Sequence, residues 1–427
     1  MYDILMKTAV FLKQKHTKFI YRGYRYKVVK KHLKIAFDFR IKPAIQFKPS
    51  LVIKNISHFR FKKTEKAALD NLVFHLGLME IPTYWKATCS PEIVIEAGYL
   101  NKEQIKWWQD LIMKGLGQFF YENRLSWQKP KIICASDKNP NLTPSGAKPR
   151  DRWLVPLGGG KDSIVTLEKL RQKGKEVNVF TVNPGSVAKK VMKTAGIKNP
   201  VIVERNIDPG LLRLNKKGYF NGHTPFTALL SFLSVFCAVL FDYRNIAFSN
   251  EKSADEGNVR YLGRTVNHQW SKSSEFERKF KDYLRKYLPL KINYSSYLRK
   301  YSELKIARMF VNYPQYFQAF SSCNVVLAKK LKRRWCGNCP KCLFVYLSLY
   351  PYLGKKQLLK IFGQDLFENK RFLPTMRGLL GWGKIKPFEC VGTRKESYLA
   401  FKLSLKKAQK AGVIPWLLTK FRTDDII

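Results

Sequence analysis

A glycine-rich segment near residue 158 has the composition of a phosphate-binding loop. An apolar run, Trp153–Pro156, leads through Leu157 into Gly-Gly-Gly-Lys-Asp-Ser, after which apolar residues recur at helical spacing. Glycines let the backbone approach an anion closely, and the free N–H groups at the start of a helix point toward it. We therefore predict a strand, a tight turn and a helix that bind a phosphate group. The residues assigned to this cofactor site are Gly158, Gly159, Gly160, Lys161, Asp162 and Ser163.

Four of the eight cysteines are spaced as ligands of one metal ion. Three thiols at two-residue spacing follow Trp335, and a fourth precedes them by a short basic segment. Four thiolates in one turn-rich region fit a tetrahedral zinc site, which is structural because no position stays open for water. A [4Fe–4S] cluster is the less favoured alternative, and reduced thiols without metal are the third. The predicted ligands are Cys323, Cys336, Cys339 and Cys342.

Three short segments rich in glycine, histidine and polar side chains are candidates to line the same site. They span residues 221–225, 249–258 and 267–273. We assign Glu251 to the nucleotide site, since Glu251, Asp255 and Glu256 are plausible contacts for Mg²⁺ or a ribose. Carboxylates are needed to hold Mg²⁺ on a triphosphate, and Asp162 in the loop is the nearest candidate. For each of these residues, a solvated loop or a capping role is the alternative. Downstream, Cys390 is a lone cysteine among turn residues.

Charge and hydropathy bound the class of protein. The 427 residues carry a net charge of +48, from 79 Lys+Arg against 31 Asp+Glu, which favours a polyanionic partner such as nucleic acid, a nucleotide or an acidic membrane. The basic residues are spread along the whole chain, so the charge is a weak guide to the partner. The longest apolar run, Pro225–Phe241, is slightly short for a membrane span and favours a buried helix. We find no signal peptide and expect a cytoplasmic protein.

Strands that alternate with helices predict an α/β fold with a mostly parallel, doubly wound sheet. An N-terminal α+β domain is expected over residues 1–150, a nucleotide-binding domain with the metal site at its end over 151–350, and a helical region over 351–427. The elements expected in the first domain are a hairpin within Tyr21–Arg40, helices over Lys63–Leu76 and Lys102–Asn123, and a surface loop or linker over Ser136–Arg150. Beyond it we expect strands over Val177–Asn183, Pro200–Glu204 and Asn245–Glu251, and a helix over Ala188–Ala195.

The glycine-rich segment departs from the Walker pattern, because Val155 stands at the place of its first glycine and Asp162 follows the lysine. It resembles instead the pyrophosphatase (PP) loop of the adenylating, HUP-like superfamily, with Gly158 in place of the first serine. Taken with the other motifs, the chain resembles the UDP-N-acetyl-α-D-muramoyl-L-alanyl-L-glutamate epimerases of bacterial cell-wall synthesis. The motifs that carry this resemblance are residues 157–163, 221–225, 249–254, 267–273, 302–303, 322–324, 335–342 and 387–393.

The resemblance implies an isomerase of peptidoglycan precursor synthesis that requires ATP and Mg²⁺. Its substrate would be the UDP-linked muramoyl dipeptide, whose terminal L-glutamate is inverted to D-glutamate. An acyl-adenylate would explain the need for ATP, since the α-proton beside an ionised carboxylate is very hard to remove. We expect no stable nucleic-acid partner and no insertion into a membrane.

Epimerisation needs a proton acceptor and donor with a pKa near the working pH. Cys390 is the first candidate, because nearby cations can turn a thiol into a thiolate; a buried, inert thiol is the alternative. The other candidates for proton transfer are His223, His268 and Lys272. Arg264, Arg299 and Lys300 are candidates to hold the UDP pyrophosphate or the glutamate side chain.

Two other functions stay open at this point. The loop and the four cysteines alone are also similar to the deazaguanine nitrile synthases of queuosine synthesis, so a nucleobase or tRNA modification enzyme is the alternative. A zinc module that binds nucleic acid without catalysis is the third reading, and the glycine-rich loop argues against it.

Overall fold

One mixed sheet of eleven strands runs through the described part of the chain. The computed structural model describes residues 10–56, 66–135, 149–288, 290–329, 333–383 and 385–421. Of the predicted linker Ser136–Arg150, all but the last two residues lie outside this description. The strands are β1 (Lys18–Val29), β2 (His32–Ile41), β3 (Ile45–Phe47), β4 (Ser50–Ile53), β5 (Glu92–Ile95), β6 (Lys131–Cys134), β7 (Trp153–Pro156), β8 (Val177–Val182), β9 (Val201–Asn206), β10 (Asn245–Phe248), β11 (Val259–Tyr261), β12 (Arg264–Val266) and β13 (Asn293–Ser296).

The strand order confirms the predicted α/β class with a mostly parallel sheet. The order is β13-β10-β7-β8-β9-β4-β2-β1-β5-β6, with β3 beside β2 and with β11 and β12 in a ladder of their own. Strands β7 to β10 and β13 pair in parallel, whereas β4 pairs antiparallel with β9. The predicted hairpin is β1–β2, which turns at Lys30 and Lys31. Because β4 joins β9, the sheet continues across residue 150, and the division into domains stays a prediction.

Helices cover both faces of this sheet. They are α1 (Lys66–Trp85), α2 (Lys102–Gly115), α3 (Gly117–Glu122), α4 (Lys161–Gln172), α5 (Ser186–Thr194), α6 (Pro209–Lys216), α7 (Phe226–Phe241), α8 (Ser274–Tyr287), α9 (Glu303–Phe310), α10 (Asn324–Lys329), α11 (Pro340–Leu349), α12 (Lys355–Phe362), α13 (Leu373–Leu380) and α14 (Arg394–Lys410). Neighbouring residues of β7 point to opposite faces of the sheet. Leu154 belongs to the core that contains α1, α2 and α7, and Val155 faces the other side, toward α4.

Two predicted helices differ from the structure in their bounds. The predicted helix Lys102–Asn123 is two helices, α2 and α3, which meet at Leu116. Gly115 packs there against Pro225, so closely that a Cβ would lie 2.9 Å from the proline ring. Helix α1 continues past the predicted end at Leu76 as far as Trp85, because its residues stay buried on all sides between the sheet and α7. Periodicity marks the face of a half-buried helix and fails for a wholly buried one.

The apolar run that begins at Pro225 is the buried helix α7, as predicted. Twelve of its sixteen residues are buried, and it packs on β7, β10 and α1. Among the described residues, no helix combines the length and the apolar content that crossing a membrane requires.

The topology reverses direction between β7 and β10. From β7 the chain moves to β8 and β9 on one side, and it returns to place β10 and β13 on the other side. Open α/β sheets bind ligands at the carboxyl ends of the strands at such a reversal. The loop after β7 is the glycine-rich segment, and the loop after β10 carries Glu251.

Candidate functional site

A large cleft lies at the carboxyl ends of β7, β8 and β10. Its volume is about 1250 Å³, above the roughly 300–1000 Å³ of an ordinary small-ligand pocket. The cleft therefore has room for more than one substrate group. The predicted site residues that line it are Gly158, Gly160, Asp162, Ser163, Glu251, Lys272 and Cys390.

The glycine-rich loop leaves the start of α4 open toward the cleft. Gly160 is the N-cap of α4 and offers no side chain to its first N–H groups, so Asp162 and Ser163 lie in the first turn rather than at the cap. Gly159 has φ +97°, and a Cβ there would lie 2.7 Å from Val187. The loop is held from behind, since the backbone N–H of Ser321 donates to the Gly159 carbonyl (3.1 Å). This backbone geometry suits an anion.

Lys161 is sealed beneath the loop and does not face the cleft. Its side chain is wholly buried, and its ammonium group is ion-paired with Asp162 and with Glu303 of α9. Burial lowers the pKa of Lys161, but the two carboxylates more than offset this and raise it. The sequence assigns Lys161 to the phosphate site. In the structure its ammonium group lies beneath the loop and is already paired with two carboxylates.

Three carboxylates converge at the floor of the cleft, where Asp162 and Glu251 line it and Glu303 lies buried beneath them. Oxygens of Asp162, Glu251 and Glu303 lie within 4.8 Å of one another. One oxygen of Glu303, Oε1, is buried without a hydrogen-bond partner among the described residues, and Nζ of Lys341 is 4.0 Å away. Carboxylate oxygens at this spacing are a donor set that suits Mg²⁺. Asp162 and Glu251 are predicted site residues, whereas Glu303 and Lys341 are not.

Cys390 lies in the cleft beside a cation. Its Sγ is 3.1 Å from Nζ of Lys272 and 3.9 Å from Nε2 of His268. Burial raises the pKa of the Cys390 thiol. The Lys272 ammonium and the His268 ring outweigh burial and lower this pKa to about 6. The anionic sulfur and Glu251 in turn more than offset burial and raise the pKa of Lys272. At neutral pH, this geometry holds a thiolate in the cleft.

The two histidines predicted as candidates pack against each other with their rings tilted by 54°, and His268 lies next to Cys390. Their ring centroids are 4.7 Å apart. Burial, together with His268 and Lys86, lowers the pKa of His223 to about 3, so this ring is neutral at physiological pH. Lys86 is buried at the end of α1 and donates to Thr224 (2.8 Å). Burial and the nearby Arg205 lower the pKa of Lys86 to about 8.

The remaining predicted polar residues hold loops together. Arg299 donates to the backbone carbonyls of Glu251 (2.8 Å) and Lys272 (2.5 Å), so it ties two cleft loops together. Asp255 caps the N–H of Ser274 (2.6 Å). Three others make contacts outside the residues that line the cleft: Glu256 pairs with Lys386 (3.0 Å), Arg264 stacks on Trp127, and Lys300 lies over the ring of Tyr301.

The four clustered cysteines come together as the sequence predicts. All four are buried, and their sulfurs lie within 4.8 Å of one another. The Sγ–Sγ distances are 3.9 Å for Cys323–Cys339, 3.7 Å for Cys336–Cys342 and 3.5 Å for Cys339–Cys342. Sulfurs at 2.3 Å from one tetrahedral ion are about 3.8 Å apart. The backbone N–H of Asn338 also donates to Sγ of Cys336 (3.4 Å). The group could therefore hold one metal ion.

The cysteine cluster is joined to the cleft. Lys341, between two of the clustered cysteines, donates through Nζ to the backbone carbonyl of Cys390. Asn324, next to Cys323, donates to the carboxylate of Glu389 (2.5 Å). The cluster therefore fixes the segment that carries Cys390.

Comparisons with known proteins agree with the layout of the chain. A model of the MurL N-terminal domain matches residues 10–297, and a model of the MurL C-terminal domain matches residues 319–421. A protein of Micromonospora sp. that is named UDP-N-acetyl-alpha-D-muramoyl-L-alanyl-L-glutamate epimerase is 37% identical over 348 residues, which are 80% of this chain and 76% of that protein. A protein of the same name from Xanthomonas oryzae pv. oryzae is 36% identical over 339 residues, 78% of this chain and 74% of that protein. A third protein of this name, from Salinispora tropica, is 37% identical over 342 residues, which are 79% of this chain and 74% of that protein.

Proposed function

Since the chain belongs to the family of UDP-N-acetyl-α-D-muramoyl-L-alanyl-L-glutamate epimerases, we propose that it inverts the terminal L-glutamate of the UDP-muramoyl dipeptide to D-glutamate, with ATP as co-substrate. The protein is then an isomerase of peptidoglycan precursor synthesis. One observation carries the proposal: a thiol beside an ammonium group (3.1 Å) opens into the same cleft as a glycine loop at a helix start.

The glycine loop supports activation of the substrate carboxylate. Its open N–H groups at the start of α4 would hold phosphates of ATP, as in a PP-loop enzyme. A carboxylate oxygen of the terminal glutamate would attack the α-phosphorus, and pyrophosphate would leave. The resulting acyl-adenylate carries no carboxylate charge, so its α-proton is far more acidic. After inversion, water releases AMP and restores the carboxylate.

Cys390 is the group that we assign to proton transfer. As a thiolate it can accept the α-proton from one face of the α-carbon. Inversion then requires that a proton returns to the opposite face, either from a second group or from the thiol after the planar intermediate has turned over. Lys272 keeps the sulfur anionic at neutral pH. His268 and His223 lie outside the residues that line the cleft, so we place them behind the reacting sulfur rather than against the substrate.

Two metal ions fit the residues present. Asp162, Glu251 and Glu303 would hold Mg²⁺, with the unpartnered Glu303 Oε1 as one ligand atom, and such an ion would neutralise triphosphate charge. The four clustered cysteines would hold Zn²⁺ as a structural ion. A [4Fe–4S] cluster binds each thiolate to a different iron and separates the sulfurs more widely, so the short distances favour zinc.

The names of the relatives support the epimerase over a nucleobase or tRNA modification enzyme. A non-catalytic zinc module has no need of the thiol–lysine pair in the cleft. A cytoplasmic location and the lack of a stable nucleic-acid partner remain predictions from the sequence.

The test is an incubation of the protein with the UDP-muramoyl L-Ala-L-Glu dipeptide, ATP and Mg²⁺ in deuterated water. We expect D-glutamate that carries one α-deuterium, together with AMP and pyrophosphate. ATP hydrolysis that depends on tRNA or on a purine acid, with glutamate unchanged, would move the protein to the modification enzymes. Epimerisation without ATP would remove the adenylate from the mechanism.

A further inference from the structure

Gln118 connects His268 to the surface of the molecule. Its Oε1 lies 2.5 Å from Nδ1 of His268, and its Nε2 donates to Oε1 of Glu122, one turn further along α3 (2.6 Å). On the other side of the ring, Nε2 of His268 lies 3.9 Å from Sγ of Cys390. Glu122, Gln118, His268 and Cys390 thus form one continuous chain from the surface to the cleft.

The chemistry of these groups fixes the direction of the hydrogen bonds. A carboxylate only accepts, so the amide NH₂ of Gln118 must face Glu122. The carbonyl oxygen of Gln118 therefore faces His268, and because that oxygen also only accepts, Nδ1 of the ring must carry a hydrogen. In the neutral ring, the lone pair then lies on Nε2, on the side of the Cys390 sulfur.

The backbone supports the same arrangement. The side-chain oxygen of Asn258 accepts from the backbone N–H of His268 (2.8 Å), and its Nδ2 donates to the carbonyl of Pro387 (2.9 Å), three residues before Cys390. One side chain therefore ties the histidine loop to the cysteine loop. The ring and the sulfur are held relative to each other by more than their own contact.

We propose that Gln118, oriented by Glu122, is a positioning residue that holds His268 as its Nδ1–H tautomer and directs the Nε2 lone pair toward the thiol of Cys390. The inference rests on the proposed role of Cys390 in proton transfer. When Cys390 is a thiol, its proton can move to Nε2, and the imidazolium that forms keeps its Nδ1–H bond to Gln118. The glutamine thereby favours the form in which the sulfur is anionic.

The other charged groups around this pair do not set the tautomer. Lys272 and Lys341 face Cys390, and Glu389 and His223 face His268. The carboxylates near Lys272 are Glu251 and Asp162. Among the hydrogen bonds of the described residues, the only partner of Nδ1 of His268 is Gln118.

The test measures the ionisation of Cys390 through the pH dependence of its alkylation by iodoacetamide, read by mass spectrometry on the full-length, metal-loaded protein. In Gln118→Leu the imidazolium loses its acceptor, so we expect the alkylation midpoint to rise by about one pH unit. In Gln118→Glu a carboxylate stabilises the imidazolium, so we expect the midpoint to fall by a similar amount. Opposite shifts from one position are not the result of a merely structural role.

Gln109→Leu is the matched control. Gln109 lies on α2, and among the described residues its side chain donates to the carbonyl of Pro130 (2.9 Å), so this variant should leave the midpoint unchanged. Equal midpoints in both Gln118 variants, or shifts in the same direction, would overturn the inference. Should a variant fold poorly, long-range ¹⁵N NMR of the wild-type imidazoles reads the tautomer directly, and an Nε2–H form of His268 would refute it. Alkylation does not depend on epimerase activity, so the inference and the proposed function can fail separately.

Discussion

Two lysines beside one cleft, both close to the carboxylate of Asp162, show how the partner of a buried cation decides what the cation does. Lys161, under the glycine loop, is wholly buried against Asp162 and Glu303. Lys272 is partly exposed to the cleft and lies 3.1 Å from the thiol of Cys390. Both pKa values are raised, because nearby anions outweigh burial in each case.

The partners respond differently to the same charge. An exposed carboxylate is ionised at neutral pH with or without a neighbouring lysine. Burial raises the pKa of Glu303 even beside Lys161, so Lys161 balances the charge of Asp162 and favours the ionised form of Glu303. A free thiol is mostly protonated at pH 7, so Lys272 changes the chemical state of Cys390. We call the glycine loop with Lys161 the loop end and Cys390 with Lys272 the thiol end. The loop end is suited to rigidity and anion binding, and the thiol end is suited to proton transfer. Mutations at each end should separate these roles.

The largest expected effect comes from Cys390→Ala. General acid–base groups contribute factors of 10² to 10⁴, so we expect exchange of the glutamate α-proton to fall by about 10³-fold. Exchange of labelled pyrophosphate into ATP should persist when the dipeptide is present, because the loop end is intact. Cys134→Ala, which removes a partly buried thiol in β6, is the control and should keep both activities. If Cys390→Ala lost both activities equally, the two ends would not be separable.

Lys161→Met should act on stability rather than on protonation. It removes the paired ammonium group from the buried Glu303, whose contact with Nζ of Lys341 is 4.0 Å, and breaking a buried ion pair costs about 3–5 kcal/mol. Urea denaturation should show this loss in the free energy of unfolding. In Lys175→Met, an exposed lysine in the turn after α4, the change should stay within about 0.5 kcal/mol. A destabilisation no larger than that of the control would mean that Lys161 does not balance the two carboxylates.

Lys272→Met should move the pH dependence of epimerisation. The thiol of Cys390 has a pKa of about 6, so activity that needs the thiolate is present above pH 6 and is lost below it. Without the ammonium, the largest of the contributions that lower this pKa is lost, so the pKa rises from about 6 toward the ordinary 9.0, while His268 and Lys341 still oppose burial. A return to 9.0 would lower the thiolate fraction at pH 7 from about 90% to about 1%. We expect kcat/KM at pH 7 to fall by about 100-fold and to recover above pH 9.

The control for this profile is Lys305→Met on the exposed face of α9, which should keep the acid limb near pH 6. A Lys272 variant that was equally slow at every pH would show that the ammonium contacts substrate instead of setting the state of the thiol.

The sequence predicted those parts of the site that are local. The glycine loop, the cysteine cluster and the β1–β2 hairpin each lie within one continuous segment of the sequence, and the structure has all three. Cys390 is also a candidate from the sequence, because a lone cysteine among turn residues is unusual, and the structure places it in the lining of the cleft. Lys272, whose ammonium group contacts the Cys390 sulfur, is another candidate for proton transfer, but no spacing links two residues that are 118 positions apart.

The parts that the sequence could not predict come from distant contacts. Glu303 meets Lys161 across 142 positions, and its only local signal is the helix start at Ser302. Lys341 lies between two of the clustered cysteines in the sequence, yet its side chain reaches the carbonyl of Cys390. The pairing of β4 with β9 likewise depends on tertiary packing. Periodicity and spacing report which face is buried, but not which distant group will lie against it.

The smallest effect is expected at the first glycine of the loop, where the resembled superfamily has serine. A Cβ on Gly158 would meet no atom within 4 Å, so Gly158→Ser should fold as the wild type and change the KM for ATP by no more than about twofold. Gly159→Ser is its matched contrast, because φ is +97° and the new Cβ would lie 2.7 Å from Val187. Strain of this kind costs about 1–3 kcal/mol, and the KM for ATP should rise about tenfold or more. Steady-state kinetics for ATP, with α-proton exchange measured in parallel, separate the loop end from the thiol end. A glycine variant that bound ATP normally but exchanged the α-proton slowly would show that the loop also positions the substrate over Cys390.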